Sequence, residues 1–179
     1  MRDCSWVVGN PQFSNVRPDN FKCSSDSTED VEEKYNCIAW AVGKKDAFWW
    51  PRQLGGYHWP GNLPREPLNR ETIKNFEDAF LTEGFIRCSD GKWEDGFEKL
   101  ALYVNDSDIP KHAARLLPNG AWTSKMGDSE DIEHDTVHVV EGDLYGKAKV
   151  FFKRPNPLCQ KPSKLTTFLL SLRRIFGMR

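Results

Sequence analysis

The stretch from Phe97 to Lys125 constrains this chain most. Two strand-forming runs, Phe97–Val104 and Lys111–Leu117, are followed by Pro118-Asn119-Gly120 and a returning run, Ala121–Lys125. Asn-Gly supplies the left-handed backbone that a tight hairpin needs. The segment therefore predicts antiparallel strands whose side chains alternate between two faces. His112 and Ser124 stand an even number of residues apart across that turn. Simple alternation keeps such a pair on one face of paired strands.

The rest of the chain is read around this hairpin. Residues 1–34 are irregular and polar and end in an acidic stretch, Glu29–Glu33. Asn36 is a good cap and Gly43 a good stop for a short apolar helix opening at about Cys37. A helix starting near Ser27 or Thr28, with Cys37 in its middle, stays open as an alternative. Residues 46–68 hold Phe48-Trp49-Trp50-Pro51 and Tyr57-His58-Trp59-Pro60, too rich in Pro and Gly for helix or ladder. They predict an ordered aromatic loop. Ile73, Phe76, Ala79 and Phe80 recur at helical spacing after Asn69, and Gly84 ends that helix. Phe85–Cys88 reads as a short strand, the region around Asp131–His134 as helix-like and acidic, and Lys147–Lys153 as a last strand. Helices followed by an antiparallel run predict an α+β domain over residues 35–154.

The tail from 155 to 179 begins as a stiff Pro-rich linker. Residues 163–178 then place Leu165, Phe168, Leu169, Leu172, Ile175 and Phe176 on one helical face beside Arg173 and Arg174. That face suits a membrane surface, a partner protein or the chain's own domain.

Composition removes several classes. A net charge of −1 gives no global basic field, so no nucleic-acid partner is expected. Seven Trp and eleven Phe are too much apolar surface for a disordered chain. No apolar run has the roughly 18 residues a membrane-spanning helix needs. The first residues lack the apolar core of a secretory signal, which predicts a cytoplasmic protein, or an effector exported by a route that leaves no such mark. Five cysteines without a CxxC pair predict free thiols rather than a disulfide framework or a zinc cage.

One cysteine is placed for chemistry. Cys37 opens a helix, where backbone N–H groups favour a thiolate. A cysteine nucleophile needs a base. His58, His112, His134 and His138 are available, and His112 heads a strand that faces such a helix in a two-layer domain. Ser124 is then placed to orient His112, with Lys125, Glu133 and His134 as alternatives. His134 and His138 have a helical metal spacing, but the pattern lacks the Glu of a zinc-hydrolase motif. No metal and no cofactor is assigned.

The order Cys-led helix, FEKLALYV strand, then KHAARLLPNGAWTSK resembles the core of NlpC/P60-type papain-like cysteine peptidases and amidases, over roughly residues 36–125. The resemblance implies a papain-like fold, Cys37 as nucleophile, His112 as base and Ser124 at the orienting position. Ser124 stands where those enzymes carry His, Asn or Gln, and Glu98-Lys99 where they carry Gly-Asp. The wording NCIAWA, FWWP, GFEKLALYV, HAARLLPNGAWTSKMG and DIEH also resembles a bacterial family of unknown function.

The expectation is a cysteine-dependent hydrolase or amidase. Cys37 would form a thioacyl intermediate on a peptide, isopeptide or glutamine amide, against an oxyanion site at its own N–H. Trp40, Trp49, Trp50, Trp59 and Trp122 would wall the site for a protein or peptide substrate. The alternative is a non-enzymatic binding module on the same scaffold, using the aromatic loop and the C-terminal segment. A reachable thiol with a lowered pKa at Cys37 favours the first; a buried inert one favours the second.

Overall fold

The computed structural model describes residues 4–24, 34–53, 55–65, 70–127, 129–156 and 158. The amphipathic reading of 163–178 lies outside them. Seven strands among the described residues form one antiparallel sheet: β1 (Phe21–Cys23), β2 (Ile86–Cys88), β3 (Phe97–Val104), β4 (Pro110–Leu116), β5 (Trp122–Lys125), β6 (Asp131–His134) and β7 (Lys147–Pro155). Their order is β1-β6-β5-β4-β3-β7-β2. Among the described residues α-helix is limited to α1 (Cys37–Ala41) and α2 (Ile73–Thr82), beside two short 3-10 turns at Ser5–Val7 and Pro11–Phe13.

This corrects the expected α+β, papain-like fold: the domain is β-rich. Two segments account for the difference. Asp131–His134 is a strand, because Ile132 and His134 are buried on one side while the backbone pairs with β5 and β1 on its two edges. The N-terminal region, read as irregular, supplies β1 and closes that edge.

The central strands follow the hydrophobic pattern. All of β3 from Glu98 to Val104 is buried, since layers cover both of its faces. On the front, Leu100, Leu102, Ala113, Val150 and Phe152 pack with α1 and with Phe76 and Phe80 of α2. Each large side chain buried there contributes about 2 kcal/mol of transfer free energy. α2 is capped by Thr72, whose hydroxyl accepts from the Asn75 N–H; Asn69, read from the sequence as its cap, lies outside the described residues. On the back, Ala101, Tyr103, Ala114, Leu116, Trp122 and Ile132 meet Val7, Phe13 and Val16 of the N-terminal segment and Val137–Tyr145.

Two closures hold the back layer. Gly146, at φ +74°, lies so close to β3 that a Cβ would sit 2.0 Å from the Val104 carbonyl oxygen. Cys4 and Cys23 form a disulfide with Cα atoms 5.8 Å apart, which corrects the expectation of free thiols. The pairing is invisible in sequence, because β1 brings Cys23 beside the N-terminal segment only after it joins β6. No helix among the described residues is long and apolar enough to cross a membrane.

Candidate functional site

The hairpin alternation sorts the predicted residues into two sets on opposite faces of the sheet. α1 packs on the front, over β4 and β5. Asn36 anchors it: its Oδ1 accepts from the N–H groups of Ala39 at 3.2 Å and Trp49 at 3.0 Å, and its amide donates to the Trp49 carbonyl at 2.9 Å. Cap and aromatic loop are thus one unit. Cys37, the first residue of α1, is buried. Burial pushes its thiol up to about 11, although the backbone amides of Ala113, Ile38 and Cys37 itself and the charge of Lys125 pull the other way. A five-residue helix has too small a dipole to offset that desolvation.

The charged side chain that acts on the Cys37 thiol is Lys125, not a histidine. Lys125 is fully buried, lies 5.0 Å from the Tyr35 ring and donates to the Ser129 carbonyl. Tyr35 donates to Asp131 Oδ2 at 2.6 Å and stacks on Trp40. Trp40 donates to Thr123 Oγ1 at 3.2 Å, and both Lys45, at 4.7 Å, and Arg115, at 4.8 Å, lie against its ring. Burial raises the Asp131 carboxyl, opposed by the Tyr35 hydroxyl and the charges of Lys125, Lys45 and Arg115. Sequence reading gave Tyr35 and Asp131 no role. The available signal was the two-residue alternation through Thr123, Lys125, Asp131 and Glu133, once α1 is known to cover that face.

His112 and Ser124 are together, on the back. His112 Nε2 lies 3.0 Å from Ser124 Oγ, which lies 2.9 Å from His134 Nε2. His134 Nδ1 is 2.8 Å from the Thr136 carbonyl. A carbonyl only accepts, so Nδ1 of a neutral His134 carries the proton. Its Nε2 then accepts from the Ser124 hydroxyl, and Ser124 accepts from His112 Nε2–H. His112 Nδ1 is left as an acceptor with no partner among the described residues. Burial, reinforced by the neighbouring imidazole, holds His112 well below the usual histidine range. Burial likewise lowers His134 to about 4. Tyr145 stacks on the His112 ring at 4.0 Å, and Tyr103 meets it edge-on at 5.2 Å.

The register explains the split. Ala113 pairs with Leu102 and faces the front, and His112 pairs with Tyr103 and faces the back. Cys37 packs on the Ala113 side, so the sheet lies between the thiol and the imidazole. The remaining histidines form no pair with Cys37 either. His58 tilts against Trp49 at 4.7 Å, and exposed His138 binds Glu141 at 2.9 Å. His134 and His138 are not on a helix, and no cluster of three metal-ligating side chains occurs among the described residues.

Trp40, Trp49 and Trp59 are core residues of the front face, and Trp122 of the back. Trp50 is half-buried, with its ring on Phe76 at 5.3 Å and its N–H on Glu71 at 2.7 Å. They brace the domain rather than wall a cleft. The open surface of the aromatic loop belongs to other residues. Phe48 and Tyr57 meet edge-to-face at 6.2 Å where the Trp49–His58 bridge runs the two segments parallel. With Lys34, Asp46, Gly55 and Gly56 they line a cleft of about 400 Å³.

The sequence profile of a domain of unknown function, DUF7689, matches residues 26–153. The chain belongs to the DUF7689 family. The match spans both polar sets and most of the sheet, and it carries no link to NlpC/P60 peptidases. No curated protein and no solved structure matches the chain. In this DUF7689 domain the WTSK strand divides its chemistry: Trp122 and Ser124 go to the back, Thr123 and Lys125 to the front.

Proposed function

We propose that the DUF7689 domain is a non-enzymatic binding domain that recognises an extended polypeptide at the aromatic-loop cleft. One observation carries the choice over a cysteine hydrolase: Cys37 and His112 face opposite sides of the sheet. Cys37 has no imidazole to take its proton, and its thiol stays protonated at neutral pH because it is buried. His112 is committed to Ser124, itself fully buried.

The cleft has the features peptide recognition uses. Phe48 and Tyr57 offer rigid aromatic edges for an apolar side chain. Lys34 and Asp46 place one charge of each sign at the cleft. Gly55 and Gly56 both have positive φ, and Gly56 has open space where a side chain would be, so a backbone can approach. The buried Trp49 and Trp59 and the Asn36 bonds anchor the loop on either side of the cleft, which lowers the entropy lost on binding.

Peptide display against the domain tests this. Recurrent peptide sequences are expected, with binding lost in Phe48→Ser and Tyr57→Ser while the thermal midpoint stays within a few degrees. Enrichment that ignores both substitutions, or no enrichment, contradicts it.

A further inference from the structure

The N-terminal segment lies as a strap across the back of the sheet. It makes two short turns, Ser5–Val7 and Pro11–Phe13, and buries Val7, Phe13 and Val16. Phe13 meets Tyr145 at 5.3 Å, and Tyr145 in turn covers His112. A Cβ on Gly142 would sit 2.5 Å from the Gln12 carbonyl oxygen, so strap and loop are in backbone contact.

From Cys4 to Val16 the strap's own backbone bonds are local: Val7 N–H to the Cys4 carbonyl, Phe13 to Asn10, Val16 to Phe13; only at Asn20, just before β1, does its carbonyl accept from the domain, from Asp135 N–H at 3.0 Å. Its side-chain ties to the domain include Trp6 to Glu130 at 2.9 Å and Asn15 to the His138 carbonyl at 3.1 Å. It belongs to no strand of the sheet. The chain fixes its far end by entering β1. The Cys4–Cys23 disulfide fixes its near end, because Cys23 is held in β1 opposite Ile132.

We propose that Cys4–Cys23 is a redox latch that keeps the strap over the His112 face, and that reduction by a dithiol releases it. A dithiol thiolate attacks the sulfur of half-buried Cys23, and the S–S bond breaks with Cys4 leaving as a thiolate. The second thiol of the reductant displaces Cys23 and closes the reductant's own disulfide. Two electrons pass from the dithiol to the protein, and its two protons end on the two cysteines. The sheet keeps β1 through its backbone pairing with β6, so opening is confined to the strap and uncovers Tyr145, the ring that lies over His112.

Hydrogen exchange of the oxidised and dithiol-reduced chain tests the latch. Closing a loop of this length suppresses local opening about 100-fold. Reduction is therefore expected to speed exchange at Val7, Phe13 and Val16 by about that factor while β3 and β7 stay protected. The paired substitutions Cys4→Ser and Cys23→Ser reproduce this without reductant; if that variant fails to fold, the reduced wild-type chain gives the same reading. The latch is overturned if those amides stay protected after reduction. It is equally overturned if β3 loses protection together with the strap, or if a dithiol cleaves the bond only in the unfolded chain.

Discussion

Ser124 and Lys125 are adjacent in the chain and serve opposite faces of the sheet. Ser124 joins His112 and His134 behind it, and Lys125 lies against Tyr35 in front. Each face thus has a buried polar layer, and the two are interleaved through a four-residue strand. Buried groups of this kind are stable only when their hydrogen bonds are met, so each layer makes a sharp demand on its members.

The back layer predicts an acid-sensitive fold. His134 has a folded pKa of about 4 against an ordinary 6.5, and His112 is lowered as well. A histidine with a depressed folded pKa contributes stability above its unfolded pKa. That stability is lost as pH falls from about 6.5 toward 4, because the unfolded chain takes up the proton first. Urea unfolding at stepped pH is expected to lose about 3 kcal/mol across that window. The loss shrinks in His134→Gln.

Ser124→Ala leaves His112 Nε2–H without its acceptor and His134 Nε2 without its donor, both fully buried. The expected cost is about 3 kcal/mol in denaturant unfolding. Ser124→Thr, which keeps the hydroxyl, is expected to cost less unless its extra methyl crowds Trp122.

Tyr35→Phe removes the donor to Asp131 Oδ2 in the front layer. Asp131 Oδ1 already lacks a partner among the described residues, so the carboxylate loses its shortest bond. The expected destabilisation is about 2 kcal/mol at pH 7. It is smaller in Tyr35→Phe combined with Asp131→Asn, and a double-mutant cycle measures the coupling.

Gly146→Ala meets both a positive φ and the Val104 carbonyl at 2.0 Å. Backbone must move, and a loss of about 3 kcal/mol or more is expected in thermal unfolding. Gly120→Ala, also at positive φ but in open space, is expected to cost only about 1 kcal/mol.

Much of the sheet was legible from residue order. Phe97–Val104 is β3 to the residue, and the Asn119-Gly120 turn places His112 and Ser124 in contact because their even spacing fixes one face. α2 follows from the spacing of Ile73, Phe76, Ala79 and Phe80. Asp131–His134 misled because acidic residues and histidine are poor strand formers, and cross-strand pairing on two sides overrides that preference. The relation of Cys37 to His112 was not legible at all. It depends on which face of β4 receives α1, and that is decided by the packing of α1 into the front-face core with Ala113 and Leu102, not by any spacing between the two residues. The tryptophans misled in the other direction: their number suggested a binding wall, yet their size made them core.

Site-resolved iodoacetamide labelling of the native protein from pH 5 to 9, with His112→Ala beside it, reads the separation of Cys37 from His112 directly. With the thiol buried on the face opposite the imidazole, Cys37 is expected to label far more slowly than in the unfolded chain, at a rate that His112→Ala does not change. Rapid labelling of Cys37 below about pH 7 that disappears in His112→Ala requires a thiolate–imidazole pair, and would contradict the placement of these two residues on opposite faces of the sheet.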